Sequence, residues 1–184
     1  MSVVLAYANN KTAIIAGDSR VYDPKNKIIL QEDYKKTMKI NKQVIIGFTG
    51  NCDQCTKLKK MISSNDRING TSFVDDVITF VERFMSEMPK EAFVGIAICG
   101  INKEGKMCLV AISTSQGTTI KYPLNGKSHF FVLPPKGAPD DNDIFKEKLS
   151  ELCLIEAIKA TIEYYSENFP SVNNKITFEC IEVN

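Results

Sequence analysis

Four places in the first third of this sequence carry residue types that could do chemistry together: Ser2, the pair Asp18 and Arg20, Lys36, and Gly50. A hydroxyl is a poor nucleophile until a base takes its proton. If Ser2 began the chain, its own α-amino group, with an ordinary pKa of about 7.7–8.0, could be that base near neutral pH. A lysine ammonium alongside would favour the neutral amine and stabilise a developing alkoxide, and an aspartate would hold that lysine charged and aimed. A backbone N–H at a glycine bend, on the lip of a following helix, could face the oxyanion of a tetrahedral intermediate. With Met1 attached the Ser2 nitrogen is an amide and no base, so this chemistry requires removal of Met1. Taken singly, each residue also has a plain structural explanation. Asp18 and Arg20 flank a strand end, where charges ordinarily meet solvent. Lys36 is one of 23 basic residues, and Gly47 and Gly50 could be turn or packing glycines.

Other reactive side chains are less organised. Cys52-Asp53-Gln54-Cys55 follows a strand and opens a helix, as a thioredoxin-type redox pair would. Two strand pairs precede it rather than a βαβ unit, so the preferred reading puts both thiols under that helix or beside the groove in front of it. Cys99, Cys108, Cys153 and Cys180 lie in apolar segments and read as small core residues. No second Cys/His pair stands at zinc-ligand spacing, and the lone His129 reads as a strand-end residue. No metal and no cofactor is expected.

The elements that must position these residues follow from the hydrophobic pattern. Strands are expected at Val3 to Ala8 and Thr12 to Asp18, joined by a turn at Asn9-Asn10-Lys11; both are apolar on both faces, as strands covered on both sides must be. A polar stretch, Asp23 to Asp33, precedes a second strand pair, Thr37 to Ile40 and Val44 to Phe48. A helix is expected from about Asp53 to Ser64. Another starts near Ser72, with Val74, Val77, Ile78, Val81, Phe84 and Met88 at helical spacing. Strands Phe93 to Cys99, Met107 to Ser113, Thr118 to Tyr122 and His129 to Leu133 come next. A polar loop, Pro134 to Asn142, leads to a last helical stretch with Ser150 as N-cap and Leu152, Ile155, Ile158, Ile162 and Tyr165 as its apolar face. The strand Ile176 to Ile181 closes the chain. This order fits two stacked sheets covered by helices on both outer faces, and not a βαβ alternation. The expected fold class is α+β, a four-layer αββα sandwich.

Composition narrows the setting. The 184 residues are 43% apolar and 24% charged, enough for one sizeable core and a single domain spanning residues 1–184. A formal charge of +1, with basic and acidic residues interspersed, gives no field directed at nucleic acid or an anionic membrane. No apolar run approaches the roughly 20 residues of a membrane helix, and no targeting segment is visible. A cytoplasmic protein is expected.

Ser2-Val3-Val4-Leu5-Ala6-Tyr7, Gly17-Asp18-Ser19-Arg20, Lys35-Lys36 and Gly47-Phe48-Thr49-Gly50 occur in that order. Together they resemble the opening of proteasome β subunits and HslV-type proteases, the N-terminal-nucleophile (Ntn) hydrolases. The resemblance covers about residues 2 to 60 and returns weakly at Leu149-Ser150 and the helix beyond. It implies Ser2 as nucleophile and base, Lys36 and Asp18 as the charged pair, the Gly50 N–H as oxyanion donor, and Arg20 orienting the end of the Asp18 strand. It further implies a peptide or unfolded-protein substrate, assembly into a homo-oligomeric ring, and an ATPase partner. The late segments depart from the family. Its Gly-Ser-Gly turn is replaced by Phe131-Val132-Leu133-Pro134-Pro135-Lys136-Gly137. Its supporting Asp and Ser fall on Phe169 and Val172 without a gap, or on Asn168 and Ser171 after a one-residue slip. Two readings therefore stand: a serine-type N-terminal-nucleophile peptidase, or a catalytically inactive subunit of the same shape acting as scaffold or binding module.

Overall fold

Asn9 turns the chain back on itself. Its side-chain oxygen accepts the N–H groups of Lys11 (2.8 Å) and Thr12 (2.7 Å), a local bond pattern that suits Asn to turns. The apolar runs on either side pair antiparallel as β1 (Val4–Ala8) and β2 (Thr12–Asp18), Val4 opposite Gly17 and Ala8 opposite Ala13. β10 (His129–Leu133) adds to β1 and β11 (Ile176–Glu182) to β2, so the two expected strands are the centre of a four-stranded sheet. The computed structural model describes residues 2–68, 70–89, 92–123, 127–135, 137–138 and 142–183. Met1, and Lys136 and residues 139–141 of the expected polar loop, lie outside the described residues.

A second sheet has five strands in chain order: β5 (Thr37–Lys39), β6 (Val44–Gly50), β7 (Val94–Ile101), β8 (Met107–Ser113) and β9 (Gly117–Lys121). Alternation along β1 and β2 decides the layering. Val4, Ala6, Ala13 and Ile15 face the second sheet, against Ile45, Ala97, Cys99 and Leu109. Leu5, Tyr7, Ile14 and Ala16 face the other way, against α3 (Asn142–Glu151) and α4 (Leu154–Asn168) through Phe145, Ile158, Ile162 and Tyr165. The outer face of the second sheet is covered by α1 (Cys52–Ser63) and α2 (Val74–Ser86), where Leu58, Ile62, Val77, Val81 and Phe84 meet Val44, Ile46, Phe48, Ile96 and Val110. The result is the four-layer αββα sandwich. The sheets approach closely at Gly47, where a Cβ would lie 2.6 Å from Ile15 Cγ2 and 2.8 Å from Val4 Cγ1.

Two stretches differ from expectation. The polar stretch after Asp18 contains a hairpin, β3 (Val21–Asp23) and β4 (Ile28–Gln31), which forms a two-stranded sheet of its own. The last helical stretch is two helices, not one. Ser150 lies inside α3 with its hydroxyl donating to the Glu147 carbonyl (2.7 Å), and Cys153 holds the N-cap position of α4. α3 escapes a periodicity search because Phe145 is its only fully buried residue. The break rotates α4, so Ala157, Ile158, Thr161, Ile162 and Tyr165 are buried while Leu152 and Ile155 face outward.

Candidate active site

Asp18 is the last residue of β2 and is fully buried. One carboxylate oxygen, Oδ1, accepts the N–H of Val3 at 3.0 Å, which ties the chain immediately after Ser2 to the end of β2. The other, Oδ2, accepts the Arg20 N–H at 3.0 Å and the Lys36 ammonium at 2.7 Å. Lys36 immediately precedes β5, and the bond from Phe48 N–H to its carbonyl (2.9 Å) fixes its backbone beside β6. Its Nζ also donates to the Arg20 carbonyl at 2.6 Å.

Ser2 is buried, and its carbonyl accepts the Thr49 hydroxyl at 2.9 Å. The start of the chain is thus held from both sheets, by Asp18 at the end of β2 and by Thr49 near the end of β6. Gly50 follows Thr49 with φ +102°, and a Cβ there would fall 2.3 Å from the Phe93 carbonyl oxygen. Only glycine fits this bend, which delivers the chain to Asn51. Asn51 caps α1 by accepting the Gln54 N–H at 3.0 Å.

Burial dominates the electrostatics of the pair. It pushes the Asp18 carboxyl up from its ordinary range, against the attraction of Lys36 and the three donors on the carboxylate. It pushes the Lys36 ammonium down, against the attraction of Asp18. A carboxylate with an ammonium at 2.7 Å and two backbone N–H donors is the arrangement in which buried charge is tolerated.

Arg20 turns its guanidinium away from Asp18. It makes a two-pronged pair with Glu32 (2.9 Å from Nη2, 3.2 Å from Nε) and donates from Nη1 to the Pro170 carbonyl at 2.8 Å. Asn173 completes a network not foreseen from the sequence. Its Oδ1 accepts the Ser19 N–H at 2.9 Å, and its Nδ2 donates to Glu32 Oε2 at 2.5 Å. The Ser19 hydroxyl donates to the Glu32 carbonyl at 2.7 Å. Hydrogen bonds from Arg20 and then Asn173 hold the Glu32 carboxyl below its ordinary value. Glu32 and Asn173 have no role in the sequence reading, and Ser19 and Thr49 enter it only as motif neighbours of Asp18 and Gly50. The one sequence hint was a polar Asn beside Ser171 and Val172 in a segment that the fold buries whole.

The other candidates are placed as follows. Asn168 is exposed at the last residue of α4 and donates to the Tyr164 carbonyl of its own helix at 2.7 Å. Ser171 is buried beside Val172, which packs into the core under α4. Cys52 opens α1 half-buried, with Sγ 4.0 Å from the Thr56 hydroxyl. Cys55 lies under the helix with its thiol on the Thr49 carbonyl, and burial pushes it up to about 12. Among the described residues no group of three or more His, Cys, Asp or Glu could hold a metal ion, and no helix is long and apolar enough to cross a membrane.

Two sheets stacked between helix pairs, with the first residues of the chain pinned at the ends of both sheets, define the Ntn-hydrolase fold. The comparisons agree: the model of the proteasome subunit family matches residues 2–181, and the chain belongs to that family. Among solved structures it is similar to eukaryotic HslV from Trypanosoma brucei, with a TM-score of 0.65 and 12% identity over 98% of this chain and 99% of that one. At that identity the likeness speaks for the fold alone. A search of curated proteins finds no match.

Proposed function

We propose that this chain is an N-terminal-nucleophile peptidase in which Ser2, made the first residue by removal of Met1, is both nucleophile and, through its α-amine, general base. One observation carries the reading: a Lys36–Asp18 ion pair shut away from solvent is tied through Asp18 Oδ1 to the residue that follows Ser2. A buried ion pair adds little to stability over an apolar pair of the same volume, so its placement beside the chain start asks for a chemical reason.

In this mechanism the Ser2 amine takes the hydroxyl proton as Oγ attacks the peptide carbonyl. Asp18 and the Arg20 carbonyl occupy two of the three Lys36 N–H bonds. The third stabilises the developing alkoxide. The Gly50 N–H donates to the oxyanion. Collapse of the intermediate expels the amine product, which leaves with the proton held by the α-ammonium, and forms an acyl ester on Ser2. Water, deprotonated by the same amine, then cleaves the ester. Arg20 and Asn173 keep the turn after Asp18 in place, and Ser171 is the late candidate for orienting the amine. The substrate is a peptide or unfolded protein. The chain works in the cytoplasm as a homo-oligomeric ring supplied by an ATPase, without metal or cofactor.

The inactive-scaffold reading keeps one observation of its own. Asn168 bonds its own helix and Val172 is core, so the late support for the amine is thin. Because general-base help is worth about 100- to 10,000-fold, slow turnover is expected. The test is intact mass after incubation with an epoxyketone or β-lactone, together with hydrolysis of small fluorogenic peptides. Loss of Met1, one adduct on Ser2 and turnover abolished in Ser2→Ala support the peptidase. Turnover that survives Ser2→Ala overturns the mechanism, and a Ser2-initiated protein with neither adduct nor turnover is a scaffold.

A further inference from the structure

The β3–β4 hairpin leaves the site between Arg20 and Glu32 and carries Ile28, Ile29 and Leu30 in succession, exposed by 49%, 49% and 60%. Successive side chains on a strand point to opposite faces, so apolar groups meet solvent on both sides of the ribbon. A two-stranded ribbon has no core of its own and is marginal alone. Three consecutive exposed apolar residues on it mark a contact surface rather than ordinary scatter. Its tip is basic: Lys25 and Lys27 flank Asn26, while Asp23 is engaged within the turn by the Lys25 N–H (2.9 Å) and the Asn26 amide (2.6 Å).

Charge selects the surface that would receive it. Exposed Met61 lies among Lys57, Lys59 and Lys60 in sequence, Ile120 and Tyr122 flank Lys121, and Phe178 stands on the strand that Lys35 and Lys39 contact. The first two would repel a basic tip, and at the third the carboxylate of Glu179 is already engaged by Lys35. The α3–α4 corner is different. Leu152 and Ile155, exposed by 38% and 39%, stand between the exposed carboxylates of Glu151 and Glu156, and the outer face of α4 continues with Glu163 and Glu167 against the single Lys159.

We propose that the hairpin of one copy of this chain docks on the α3–α4 corner of a second copy, with Ile28 and Leu30, which share one face of the ribbon, on Leu152 and Ile155, and Lys25 and Lys27 facing Glu151 and Glu156. The two patches differ and belong to one chain, so each copy both gives a hairpin and receives one. Such a head-to-tail contact repeats until it closes into a ring. The inference supplies the interface for the ring in the proposed function. It rests on that reading for closure alone and is independent of Ser2 chemistry.

Sedimentation velocity of the full chain over a range of concentrations tests it, with Leu30→Asp disabling the hairpin and Ile155→Lys disabling the corner. Each variant alone should be monomeric, its dissociation constant raised at least about 100-fold, as for a central interface anchor. Mixed in equal amounts they should form a one-to-one heterodimer and stop, because one intact hairpin and one intact corner remain. Lys25→Glu with Lys27→Glu should also dissociate the assembly, and Glu151→Lys with Glu156→Lys in the same chain should restore it. Circular dichroism checks that each variant folds. The Ser2 probe, read on the monomers, separates a failed interface from a failed peptidase reading. A monomeric parent chain, assembly indifferent to Leu30→Asp, or a mixture giving no heterodimer would each overturn the proposal, as would Ile155→Lys assembling alone, which would mean that hairpins pair with one another.

Discussion

Replacing Lys36 by Met would leave Asp18 as a buried carboxylate without its cation. The Val3 and Arg20 N–H bonds, both 3.0 Å, would remain, but no water reaches a group with no exposed surface. Removing one partner of such a pair costs about 3–5 kcal/mol. For a chain of 184 residues each kcal/mol moves the melting temperature by about 2–4 °C, so Lys36→Met should melt about 6–20 °C lower at pH 7. The loss should shrink as pH falls. Burial already raises the Asp18 carboxyl above its unfolded value, and losing the ammonium raises it further. The folded state then binds the proton more tightly than the unfolded one, and acid favours folding through this group. Asp18→Asn in the Lys36→Met background removes the stranded charge. It leaves one backbone N–H facing an amide NH2, a cost of about 1–3 kcal/mol. The double variant should therefore recover roughly half the loss, read by thermal melts from pH 5 to 8. A single variant costing under about 1 kcal/mol, or a double variant no better than the single, would refute the argument that buried, paired charge dominates this site.

Gly50→Ala should destabilise the chain by about 2–4 kcal/mol in urea melts, because its Cβ meets the Phe93 carbonyl at a backbone angle reserved for glycine, and it should abolish labelling of Ser2. Asn173→Ala strips the buried Ser19 N–H of its acceptor and should cost about 1–3 kcal/mol, while slowing Ser2 labelling through the loosened turn after Asp18. Lys59 sits over the Tyr34 and Phe48 rings, 4.1 and 5.0 Å from their centroids, and burial lowers its pKa to about 8. Between that value and 10.5 the unfolded chain holds the proton and the folded chain does not, so stability gained from this group rises with pH across that window. Lys59→Met should therefore be more stable at pH 7, by about 1 kcal/mol after discounting for partial exposure, with the advantage gone by about pH 10.5.

Local chemistry in the sequence was enough for the frame of this protein. Strands apolar on both faces can only be central and covered, and β1 and β2 are. Helical periodicity found α2 and the core of α4, where four-residue repeats bury a stripe. Where burial is thin, as in α3 with its single fully buried Phe145, or where both faces meet solvent, as in β4, the pattern carries too little signal to name the element. The candidate site divides the same way. Ser2, Asp18, Lys36 and Gly50 lie within the first 50 residues, and their order and the strand ends that carry them could be read along the chain. Which late residue completes the surroundings could not be. Asn173 reaches Ser19 across 154 positions because β11 pairs with β2 and brings the end of the α4–β11 loop to the end of β2. Asn168, five residues earlier, still belongs to the helix and spends its side chain on the Tyr164 carbonyl. A strand's period is a property of neighbours in the chain, whereas sheet pairing and layer stacking join residues without regard to separation, and only the folded structure specifies those joins.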